Sequence, residues 1–153
     1  MNTRMKKMTA VIALTLLAAF YTPVFAEEPY KGVLITEKTL EGYALRYSLL
    51  NLEERKAVTK GMEGMKMAGM SDSPDVTNHL ALYIKGPGGK PVSGKIGFEI
   101  TNPDTTIFKT LTMGLPGGYG ADVIFKAKGI YKIRMKAVID GKTINDEISY
   151  EVK

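Results

Sequence analysis

The chain has 153 residues, with 21 Lys and Arg against 16 Asp and Glu, a formal charge of +5, one His and no Cys. Without a thiolate there is no Cys nucleophile, metal ligand or redox centre, and the fold must stand on packing without disulfides. The charges are dispersed rather than gathered into a basic stripe, which argues against a nucleic-acid or heparin partner.

The N-terminus opens with Arg4, Lys6 and Lys7, continues in the apolar run AVIALTLLAAF over residues 10–20, and reaches Pro23 before Val24-Phe25-Ala26. This is the pattern of a cleavable secretory signal peptide over residues 1–26, with the cut expected after Ala26. The apolar run is shorter than the roughly 20 residues that cross a bilayer, and no later segment reaches that length, so no membrane span is expected after cleavage. The product is a periplasmic chain of residues 27–153, read as a single domain. Loss of the three N-terminal cations leaves 18 basic residues against 16 acidic ones, a charge near +2.

Residues 31–40 read as a first strand. The next, GYALRYSLL over 42–50, sets Tyr43, Leu45, Tyr47 and Leu49 on one face. Alternation then breaks over residues 51–78, which begin with EERK, pass through GMEGMKMAGM and end in SDSPD. That composition predicts a long Met-rich loop. Over residues 79–84, Leu80, Leu82 and Ile84 alternate with His79, Ala81 and Tyr83. After the connection GPGGKPVSG, strands are expected over 95–100 and 107–113, the latter with Ile107, Leu111 and Met113 on one side. A further strand covers 119–125, and strands over 131–139 and 143–152 flank Asp140-Gly141, a two-residue hairpin signal. Met135 alternates with Ile133 and Ile139 and reads as core. About seven short strands at such spacing predict an all-β fold, an immunoglobulin-like antiparallel β-sandwich.

The segments LALYIKGPGGKPVSGKIGFEI and GGYGADVIFKAKGIYKIRMKAV carry a family resemblance. Over residues 80–152 the chain resembles the YtkA-like and FixH-like group of small exported or membrane-tethered β-sandwich domains. That resemblance implies an envelope location and a link to copper handling or oxidase assembly. Gly129-Ile130-Tyr131 is similar to a tyrosine corner, in which Tyr131 would bond backbone across the end of the sandwich. The loop chemistry also resembles that of CopC-like copper carriers, which pair a Met-rich copper(I) loop with histidines for copper(II). This chain departs from them in having one His.

The methionines themselves point the same way. Met62, Met65, Met67 and Met70 fall within nine residues, interleaved with Gly61, Gly64 and Gly69. Thioethers are soft, uncharged and need no deprotonation, so they suit Cu(I) or Ag(I) and compete poorly for harder ions. His79, at the end of the loop, supplies an imidazole that can join them, or is simply a hydrogen-bonded strand residue. Met113 is either a further ligand or core. The candidate metal ligands are thus Met62, Met65, Met67, Met70, His79 and Met113, with copper(I) as the expected cofactor. No enzyme is expected, because one His, no Cys and no G-x-S-x-G elbow leave little for nucleophilic catalysis. Two functions stand. In one, the protein is a copper(I) carrier or chaperone serving an envelope partner such as an oxidase-assembly or efflux component. In the other, the flexible methionines form a metal-free docking surface.

Overall fold

The computed structural model describes Phe25, residues 31–62, Met65 and residues 67–153. The expected signal peptide, Phe25 apart, lies outside the described residues. The elements run β1 (Val33–Leu40), β2 (Tyr43–Leu50), α1 (Leu52–Val58), β3 (Asn78–Lys85), β4 (Lys95–Thr101), β5 (Ile107–Leu111), β6 (Met113–Leu115), β7 (Gly118–Val123), β8 (Gly129–Ile139) and β9 (Lys142–Val152). They form two antiparallel sheets, ordered β1-β2-β3-β7-β6 and β5-β4-β8-β9. The all-β sandwich read from the sequence is the fold observed, with nine strands among the described residues rather than about seven.

Part of the difference arises at Thr112, where one expected strand becomes two. Its N–H and its hydroxyl both donate to the Ile96 carbonyl at 3.0 Å, and there the chain leaves the second sheet for the first. Ile107 and Leu111 therefore stay on an edge strand, 58% and 53% exposed, while Met113 is buried in the other sheet. The shared face expected for these three residues does not exist, because a sheet switch resets the alternation.

Between the sheets lies the core expected from period-two patterning. Along β8, Tyr131, Ile133, Met135, Ala137 and Ile139 turn inward and the residues between them face outward, so Met135 is core as read. Opposite them, Leu45, Tyr47 and Leu49 of β2 and Leu80, Leu82 and Ile84 of β3 complete the layer. At the end of the sandwich, the Tyr131 hydroxyl donates to the Ala127 carbonyl and accepts from the Ala127 N–H, both at 3.0 Å. This is the expected tyrosine corner.

The first sheet differs from the second in being covered on both faces. Every residue of β3 after Asn78 is buried. On its outer face Ala81 and Tyr83 join an apolar cluster that includes Phe25, and Val58 of α1 with Met62, Met67 and Met70 packs against it. Residues 51–78 are thus not loop throughout. Asn51 caps α1 by accepting from the Glu54 N–H, and the Glu54 carboxylate accepts from the Asn51 N–H, both at 2.9 Å. This reciprocal capping box satisfies two donors of the first turn and starts a helix that alternation could not reveal. Among the described residues no helix is long and apolar enough to cross a membrane.

Candidate functional site

Sheet register sets out the outer face row by row. Leu50 of β2 pairs with His79 of β3, which pairs with Asp122 of β7. In the next row Ser48, Ala81 and Gly120 stand abreast, and Gly120 pairs onward with Met113 of β6. On this face a second apolar cluster gathers Ala44, Leu50, Ala81, Tyr83, Met113 and Leu115, with Val58, Met62, Met67 and Met70 packed against it. Phe25, one residue before the expected cut, is buried in the same cluster, with the Lys85 ammonium 5.4 Å from its ring centre.

Asp122 organises the polar part of this face. Its Oδ1 accepts from Arg55 Nε at 2.7 Å and lies 2.8 Å from His79 Nδ1. Its Oδ2 accepts from Arg55 Nη2 at 2.6 Å and from the Ser71 N–H at 2.7 Å. Burial pushes the Asp122 pKa upward, but hydrogen bonds from His79, Arg55 and Ser71, with the Arg55 charge, outweigh it and hold the group below its ordinary value. An ionised carboxylate only accepts, so the proton between Asp122 and His79 sits on Nδ1.

That assignment leaves His79 Nε2 as the reactive atom. The side chain is 0% exposed, and Nε2 has no hydrogen-bond partner among the described residues. With Nδ1 protonated, the neutral ring presents a lone pair at Nε2, whereas an N–H there would be a stranded donor in an apolar setting. The ring lies across β7 because Gly120 has no side chain. A Cβ at Gly120 would overlap Nε2 and come within 2.8 Å of Cδ2. Nε2 thus lies over Gly120, whose ladder partner Met113 stands one strand spacing of about 4.8 Å further on.

The loop closes over this point through its backbone. The Gly69 carbonyl accepts from the Asp122 N–H at 2.7 Å. Gly69 itself (φ +78°) approaches so closely that a Cβ would lie 2.9 Å from the Met113 nitrogen and the Leu111 carbonyl. Only glycine tolerates both that φ and that approach.

Five of the six sequence-derived candidates are thus brought to one face: Met62, Met67, Met70 and Met113 in the cluster, and His79 beside it. Met65 is not among them and stands 58% exposed. His79 occupies the central strand of its sheet, on the face it was expected to share with Ala81 and Tyr83. Sequence reading missed Arg55, Gly120 and Asp122. For Asp122 a signal was present, a lone acidic residue between Ala121 and Val123 in an otherwise small and apolar strand. Arg55 gave none, since it lies in a charged run with Glu53, Glu54 and Lys56. Among the described residues no group of three or more His, Cys, Asp or Glu comes together, so the hard oxygen donors that calcium or magnesium need are not assembled there.

No family model and no curated protein matches the sequence. Solved structures do match by shape. A copper-bound variant of FetP from uropathogenic Escherichia coli strain F11 superposes with a TM-score of 0.59 at 16% identity, covering 81% of this chain and 94% of that one. As-isolated FetP from the same strain, expressed in the E. coli periplasm, gives 0.55 at 15% identity over 80% and 95% of the two chains. A DUF4426 family protein from Pseudomonas aeruginosa PAO1 gives 0.52 at 8% identity over 76% and 96%. The likeness is one of fold. It supports the β-sandwich, and does not carry the narrower YtkA-like, FixH-like or CopC-like names.

Proposed function

We propose that this protein is an exported carrier of a soft monovalent metal ion, Cu(I), held between His79 Nε2 and the thioethers of Met62, Met67, Met70 and Met113. The observation that carries the reading is the buried Nε2, without a hydrogen-bond partner among the described residues, with Asp122 fixing the opposite ring nitrogen. A carboxylate behind a ligating imidazole holds the tautomer and raises the basicity of the donor atom. Thioethers gathered on the same face of the sheet, with no group of three or more His, Cys, Asp or Glu among the described residues, favour a soft ion over zinc or calcium. The copper-bound FetP variant of the same fold lends support, as does the export signal expected at the N-terminus. Thioether ligation suits an oxidising envelope, where thiols are lost to disulfides. The ion is cargo, passed to an envelope partner such as an oxidase-assembly or efflux component.

An anaerobic Cu(I) titration of the exported protein against a chromophoric competitor tests this. Near-stoichiometric uptake is expected, lost in His79→Ala and in the variant with all four loop methionines replaced by Leu. If the protein never competes for Cu(I) at micromolar concentration, the carrier reading fails and the loop becomes a docking surface.

A further inference from the structure

The four loop sulfurs do not stand alike. Met62, Met67 and Met70 pack against the buried cluster, whereas Met65 faces solvent. Both sides of Met65 are anchored. The Met62 N–H donates to the Thr59 carbonyl at 2.9 Å, tying it to the end of α1. On the far side, the Met70 N–H donates to the Met67 carbonyl at 3.2 Å, and Gly69 and Ser71 are pinned to Asp122. Between these anchors the Met65 N–H donates to the Met62 carbonyl at 3.1 Å. The exposed Met65 is therefore tied by its backbone to Met62, which packs against the cluster.

The inner site is closed. His79 is 0% and Met113 3% exposed, so an ion cannot meet them directly from solvent. We infer that Met65 is the capture ligand, which takes the incoming Cu(I) first and passes it inward to Met62; this rests on the soft-metal reading of the His79 cluster. The transfer is ligand exchange without redox change. The Cu–S bond to Met65 breaks as bonds to Met62 and then His79 form, and no proton moves because neither the thioethers nor the Nδ1-protonated imidazole must lose one. The division of labour follows from placement. The donors are graded by depth: Met65 is exposed, Met62, Met67 and Met70 are partly buried, and His79 and Met113 are buried, so the outermost sets how fast the ion arrives and the innermost how tightly it is held.

Stopped-flow transfer of Cu(I) from a coloured bicinchoninate complex to the exported protein reads both quantities. Leu is close in volume to Met, so Met65→Leu and Met113→Leu keep the packing while each removes one sulfur. Met65→Leu is expected to leave the dissociation constant within about twofold and to slow transfer about tenfold. Met113→Leu is expected to weaken binding by about tenfold or more. Unchanged transfer in Met65→Leu would overturn the inference. So would a loss of affinity matching Met113→Leu, which would make Met65 an inner ligand. A wild-type protein that takes no Cu(I) removes the underlying site instead, a result distinct from either.

Discussion

Gly120 decides whether an imidazole can lie across the outer face of the first sheet. With any side chain there, the His79 ring would have to swing off β7, and its Nε2 would leave the position over Gly120. Gly120→Ala is therefore expected to weaken Cu(I) binding and to destabilise the fold by about 1–3 kcal/mol through overpacking. Urea unfolding and competitor titration measure the two effects separately. Full Cu(I) affinity in this variant would show that the ring orientation does not matter.

At the scale of elements, Asp122 joins parts that sequence distance keeps apart: α1 through Arg55, the end of the loop through Ser71, and β3 through His79. Asp122→Asn removes the charge that Arg55 answers, a loss of about 2 kcal/mol for a buried carboxylate whose guanidinium partner is partly exposed. It also changes the pH dependence in a definite direction. The Asp122 pKa is depressed in the folded state, so its contribution is present above the unfolded carboxylate value of about 3.9 and fades as pH falls through the lower folded value. Wild-type stability should therefore fall below about pH 4 more steeply than that of Asp122→Asn. Denaturant midpoints at a series of acid pH values test this, and parallel profiles for the two proteins would contradict it.

For the whole molecule, the two sheets have different surroundings. The outward residues of β8 and β9 meet water and carry ion pairs such as Arg134 with Glu147 and Glu99. The first sheet has a second covering layer, and the proposed ligands sit between that layer and the sheet. An ion bound there ties the layer down and must stabilise the folded state by mass action. Excess Ag(I), a redox-inert stand-in for Cu(I), is expected to raise the melting temperature by about 10 °C at a hundred times the dissociation constant. The four-methionine Leu variant should not respond. A wild-type shift no larger than that of the variant would argue against a site beneath the layer.

Residue order along the chain was enough for whatever depends on near neighbours. Alternation in 43–50, 80–84 and 131–139 assigned the inward faces, Asp140-Gly141 marked the β8–β9 hairpin, and Gly129-Ile130-Tyr131 marked the corner. Even α1 was written locally, in the Asn51–Glu54 capping box. The sheet switch at Thr112, the partnership of Arg55 with Asp122 and the room that Gly120 makes for His79 were not legible in this way. Each depends on which strands become neighbours. Period-two patterning tells a residue's face but not what is laid against that face, and only the folded chain brings residues 55, 79, 113, 120 and 122 onto one surface.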